Sequence, residues 1–121
     1  MFELTFKALG EPTRLKILRL LAEQELCVCE LEEILDMSQP RVSQHLKVLK
    51  QAGLVNERRE AQRRICSFDQ EALDQVFQEF DSFMKVPVNE LPKFQQMCER
   101  MANLDENICE KKACQKRNGK K

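Results

Sequence analysis

Two short apolar stripes of helical period, separated by Asp36-Met37-Ser38, constrain this chain more than any other feature. In the first, over residues 28–36, Leu31, Ile34 and Leu35 are expected to point inward. In the second, Val42, Leu46 and Leu49 recur at i, i+4 and i+7. Ser38 suits the N-cap of this second helix, and Pro40 falls in its opening turn, where the missing N–H has no helical partner. Gly53 stands just past its end, where a left-handed residue is favoured.

Opposite its apolar stripe the second helix carries Gln39, Arg41, Ser43, Gln44, His45 and Lys47. Two helices of about ten residues, the second polar and basic on its outer side, make a helix-turn-helix pattern. Arginine matches guanine edges, glutamine matches adenine, and serine suits either. Ser38, Gln39, Arg41, Ser43, Gln44, His45 and Lys47 are therefore expected to face double-stranded DNA. His45 is expected to be a polar residue of the helix surface; with no second histidine, a metal or catalytic role for it is disfavoured.

Residues 54–59 and 63–68 read as two strands around a turn at Glu60-Ala61-Gln62. Arg58, Arg59, Arg63 and Arg64 cluster near the tip of this hairpin. Arginines beside a recognition helix suit phosphate or minor-groove contact. The expected fold class is mainly α with a small β-hairpin, a winged helix-turn-helix.

The flanking segments complete the domain. Phe2, Phe6 and Leu9 suggest a short first helix ended by Gly10, and Glu11-Pro12-Thr13-Arg14 opens a second with Leu15, Ile17, Leu18 and Leu21 on its stripe. After Phe68 comes a helix with Leu73, Val76, Phe77, Phe80, Phe83 and Met84. Its apolar face is wider than so small a domain can cover, so part of it is expected to form a dimer seam together with the first helix. Pro87 ends that helix. Residues 1–86 are thus read as a DNA-binding and dimerisation domain, and 87–121 as a C-terminal helix with a loosely structured tail containing Cys and Lys.

A balance of 20 Lys+Arg against 20 Asp+Glu argues against a nucleic-acid partner only until the charge is located. Residues 38–66 hold seven basic and two acidic side chains, whereas residues 67–110 hold three and ten. A basic segment inside an acidic body can face phosphates locally. No apolar run approaches the length of a membrane span, and the first residues lack a signal-peptide layout, so a cytoplasmic protein with no membrane partner is expected. There is no nucleophile–base pair and no glycine-rich phosphate loop, so an enzyme is not expected.

Six cysteines in a reducing compartment point to thiols or metal ligands. Thiolates suit thiophilic ions: trivalent arsenic or antimony with three thiolates, and cadmium, lead or zinc with four ligands. Cys27 and Cys29 lie at or just before the start of the third helix. On a regular helix, residues two apart point about 200° apart, so sharing an ion needs that helix start to unwind. Cys109 and Cys114 are candidate accessory ligands; the alternative is a tail that merely contains cysteine. Cys66, beside Ile65, is expected to pack inward, and Cys98 to belong to a core or interface.

The segments 9–18, 25–31, 38–49 and 52–55 together resemble the ArsR/SmtB family of winged helix-turn-helix repressors. The likeness covers about residues 2–85, and Cys27-Val28-Cys29 resembles the mark of the arsenical and cadmium/lead sensing branches. It implies a homodimer with one recognition helix per subunit in successive major grooves, released from operator DNA by an inducer. As(III) or Sb(III) is the first expectation, with Cd(II), Pb(II) or Zn(II) next. Three departures stand out. Glu32 occupies the place of a third cysteine in Cys-x-Cys-x-x-Cys, the helix after the hairpin has no histidine for a zinc site, and further thiols are expected from the C-terminal side, at Cys98, Cys109 and Cys114, rather than from an N-terminal extension. A thiol-redox or reactive-sulfur sensor and a metal-sequestering protein remain the alternatives.

Overall fold

In the computed structural model, which describes residues 2–112, the apolar stripes become helices that stop at their punctuating residues. The helices are α1 (Glu3–Leu9), α2 (Pro12–Glu23), α3 (Val28–Leu35), α4 (Gln39–Gln51), α5 (Gln70–Lys85), α6 (Gln95–Ala102) and α7 (Ile108–Lys111), with two short 3-10 turns between α5 and α6. Glu11 is the extended N-cap of α2 and its carboxylate accepts the Arg14 N–H at 3.0 Å. Gly53, at φ 78°, closes α4: its N–H donates to the Lys50 carbonyl and the Leu54 N–H to that of Leu49. This is the paired bonding of a glycine-ended helix. Ser38 holds the N-cap position of α4, but its hydroxyl makes no capping bond.

The strands are β1 (Leu26–Cys27), β2 (Val55–Glu60) and β3 (Arg63–Phe68), in the order β1-β3-β2 and antiparallel throughout. The hairpin expected from sequence therefore gains a third strand. Two residues are too short to show the period-2 alternation by which strands are recognised. The turn is also tighter than expected. Glu60 pairs with Arg63, which leaves Ala61 and Gln62 as the loop, with Ala61 left-handed at φ 55°.

Ile17, Leu18 and Leu21 of α2, Leu31 of α3, and Val42, Leu46 and Leu49 of α4 meet Leu54, Val55 and Cys66 in the core. Two expected core residues stand outside it: Leu15 is 49% exposed and Ile34 52%. Val28, Leu31 and Leu35 form the inward stripe of α3, and Ile34 lies roughly 100° around the helix from Leu35. Leu15 sits likewise on the margin of the stripe set by Ile17 and Leu21.

The described residues fall into two compact units, one up to Ser82 and one from Phe83 onward. In the first unit Phe80 packs edge-on against Phe2 and Phe6 of α1, with centroids 5.4 and 4.9 Å apart. No residue of α5 is fully buried, and Phe77 remains 47% exposed. In the second unit Phe83 meets Phe94 edge-on at 5.9 Å. Among the described residues no helix is long and apolar enough to cross a membrane.

Candidate nucleic-acid interface and thiol pocket

Arg14 seats the α1–α2 corner against α4. Its Nε donates to the Ala8 carbonyl at 2.7 Å and its Nη2 to that of Lys7 at 3.2 Å, while Nη1 lies 3.4 Å from His45 Nδ1. His45 Nδ1 is also 3.9 Å from a Glu11 carboxylate oxygen, and the His45 side chain is 17% exposed. The helix-surface reading of His45 is thus corrected. One position before Leu46, it borders the apolar stripe, and its ring turns toward α2. Ser38, Gln39, Arg41, Gln44 and Lys47 are exposed and Ser43 half-buried, with Gln39 donating to the Ser43 hydroxyl at 2.9 Å.

The four wing arginines are not equivalent. Arg64 donates from Nε and Nη2 to the Glu57 carboxylate at 2.8 and 3.2 Å, and Lys50 Nζ donates to the same carboxylate at 2.7 Å. These partners, Arg64 first, pull the Glu57 carboxyl down to about 2 against the opposing effect of burial. Glu57 therefore bolts the end of α4 to the wing. Arg58 makes two 2.9 Å bonds to Glu25 and a further contact to Glu60. The Arg58 guanidinium holds the Glu25 carboxyl below its ordinary value. Arg63 Nη2 lies 3.7 Å from Glu30 Oε1, and hydrogen bonding to Cys27 is the main cause that raises the Arg63 pKa. Arg59 is exposed and, like Arg41 and Lys47, has no ion-pair partner among the described residues.

Cys27 is the last residue of β1 and the extended N-cap of α3, 6% exposed. Its N–H donates to Glu30 Oε1 at 2.8 Å, and this bond is the main cause that lowers the Glu30 carboxyl. Cys29 lies one residue into α3 and is exposed. Because Cys27 is extended, the pair straddles a strand-to-helix junction and is not subject to the opposed geometry of a regular helix. Both cysteines line one pocket of about 170 Å³ with Glu32, Gln39, Gln62 and Arg63. The pocket thus joins the thiol pair to the first residue of α4 and to the wing tip. Cys66 is fully buried and burial pushes its thiol up to about 11, in keeping with inward packing.

The residues present supply part of a site for a thiophilic ion. Two thiols and the Glu32 carboxylate share the pocket, but among the described residues no group of three or more His, Cys, Asp or Glu is arranged to hold a metal ion. Cys98 is half-buried and Cys109 exposed, both in the second unit; Cys114 lies outside the described residues. Sequence reasoning missed Arg14, Glu25, Glu30 and Glu57. Only Glu30 left a local sign, standing three residues after its cap residue at the spacing of a capping box.

A recognition helix braced by two others and followed by a β-hairpin, which an earlier short strand extends to a three-stranded sheet, defines a winged helix-turn-helix protein. The family described as "Bacterial regulatory protein, arsR family" matches residues 11–57. The arsenical resistance operon repressor of Staphylococcus xylosus is 40% identical over 75 residues, 62% of this chain and 72% of that protein. The cadmium resistance transcriptional regulatory protein CadC homolog of Staphylococcus aureus is 40% identical over 72 residues, 59% of this chain and 60% of that one. A crystal structure titled as a possible transcriptional regulator for arsenical resistance is 31% identical with a TM-score of 0.58, covering 83% of this chain and 95% of the other. The chain belongs to the arsR family, whose members are DNA-binding transcriptional regulators and not enzymes. It spans about half to two thirds of the length of several curated relatives that it matches.

Proposed function

We propose that this protein is a cytoplasmic, homodimeric repressor that binds double-stranded operator DNA and leaves it when Cys27 and Cys29 take up a thiophilic inducer. The pocket that holds both cysteines together with Gln39 and Arg63 carries this reading, because a ligand there acts at once on α4 and on the wing. In the DNA complex Gln39, Arg41, Ser43, Gln44 and Lys47 read the major groove and Ser38 meets the backbone. Arg59 and Arg63 face phosphates, while His45, Arg58 and Arg64 hold the reading elements in place. An exposed apolar groove of about 480 Å³, lined by Leu9, Leu15, Leu18, Phe68, Leu73 and Phe77, supports a second copy against α2 and α5.

Trivalent arsenic or antimony is the first inducer class, with Cys109 or Cys114 completing a three-thiolate set. The likeness to the cadmium resistance regulator supports Cd(II), with Pb(II) and Zn(II) as related cases. Release then requires only that the ligand favour one protein state over the other. The test uses a duplex that the protein itself selects from a random pool. Arsenite, antimonite, cadmium, lead and zinc are titrated into the complex with parent, Cys27→Ser and Cys109→Ser proteins. Release that Cys27→Ser abolishes supports the reading, and undiminished release refutes the sensor pair. Parent-like behaviour of Cys109→Ser removes that residue from the ligand set. Failure to select any sequence defeats the repressor itself.

A further inference from the structure

We propose that Glu25 and Glu30 are positioning residues that tie the wing arginines to the thiol pair, so that a ligand on the cysteines alters how the wing meets DNA. This rests on the function proposed above. The two carboxylates flank Cys27 in sequence, and each meets a different wing arginine, Glu25 meeting Arg58 and Glu30 meeting Arg63. Glu25 grips Arg58 through two 2.9 Å bonds, a contact between residues 33 apart in sequence. Glu30 uses one oxygen twice: Oε1 accepts the Cys27 N–H at 2.8 Å and faces Arg63 Nη2 at 3.7 Å.

The strand register explains why these groups converge. Cys27 and Arg58 pair with Ile65 from opposite sides of β3. Directly paired residues share a face, and Arg63, two positions from Ile65, lies on that same face. Cys27, Arg58 and Arg63 therefore stand together on one side of the sheet, with Glu25 entering before Cys27 and Glu30 after it. Exposed single ion pairs contribute little, but the bidentate Glu25–Arg58 pair and the shared Glu30 oxygen each fix a wing arginine on the side of the sheet that carries Cys27.

The Cys27 N–H is pinned by Glu30 while Cys29 rides on the first turn of α3. A ligand that draws the Cys29 thiol toward Cys27 moves the first turn of α3, and Glu30, on that same turn, moves with it. Arg63 then changes its anionic neighbour, and Arg58 follows through Glu25. In this device the wing arginines are divided between carboxylates of their own chain and DNA phosphates, and the thiol pair sets the division.

The test measures affinity of the full chain for its selected duplex by fluorescence anisotropy, with and without arsenite, across a salt series. Parent, Glu25→Gln and Glu30→Gln proteins are compared, with cadmium as a second probe. Glutamine removes the charge yet keeps an oxygen for the Cys27 N–H. Without a probe, both variants are expected to bind DNA more tightly, with a salt slope steeper by up to about one phosphate contact. The loss of affinity caused by arsenite is expected to shrink by about threefold or more. If the parent responds and both variants respond to the same degree, the coupling is overturned, whatever their melting temperatures. If the parent responds to neither probe, the function proposed above fails and the coupling fails with it, a result visible in the parent alone.

Discussion

Glu57→Gln tests whether the α4–wing bolt stabilises the fold through charge. The Glu57 carboxyl ordinarily titrates at 4.5 and is drawn to about 2 by Arg64 and Lys50. A group whose pKa is lower in the folded state adds stability that is fully present above its unfolded value and is lost as pH falls through the folded one. The drop from 4.5 to about 2 sets a ceiling of about 3 kcal/mol. Lys50 and Arg64 keep 35% and 27% of their side-chain surface in water, and screening there lowers the expected contribution to about 1–2 kcal/mol. Urea unfolding followed by far-UV circular dichroism, at several pH values from 7 to 2.5, measures it. Parent should exceed Glu57→Gln by that amount at pH 7. The gap should hold down to about pH 5, fall to less than half its neutral value by pH 3, and shrink further at pH 2.5. Other lowered carboxylates such as Glu11 and Glu25 are present in both proteins and cancel in the difference. A gap that stays constant across the range would refute the electrostatic account and leave Glu57 as a packing residue.

Leu46→Ala empties a fully buried position between α2, α3 and α4 and is expected to cost about 2–5 kcal/mol in chemical denaturation. The wing arginines should separate by assay. Arg59→Ala should weaken DNA binding evenly across sequences and lower the salt slope by about one, whereas Arg64→Ala should mainly lower the melting temperature because it leaves Glu57 with Lys50 as its remaining cationic partner. Alkylation followed by mass spectrometry should find Cys29 modified in the native state and Cys66 only after unfolding, since burial both shields that sulfur and pushes its thiol up to about 11. Equal rates at the two sites would contradict the placement of Cys66 in the core.

The sequence alone determined the helices of the DNA-binding region, the hairpin that follows them, their order and the family resemblance. Apolar spacing, Pro12 and Pro40 near helix starts and Gly53 past a helix end are local signals, and each meets its place in the fold. Tertiary structure decided what those signals cannot carry. It moved Ile34 and Leu15 out of the core and turned His45 toward Arg14 and Glu11. It also separated the four arginines that looked alike in sequence, leaving Arg59 without an ion pair among the described residues while Arg58 and Arg64 hold carboxylates of their own chain. The reason is physical. Helical period and capping depend on residues within a turn or two. Ion pairs across a sheet depend instead on strand register: the β2–β3 register sets Glu57 beside Arg64, and β1, too short to announce itself, brings Glu25 within reach of Arg58. By pairing Cys27 with Ile65, it also decided that Cys27 is buried while Cys29 faces solvent.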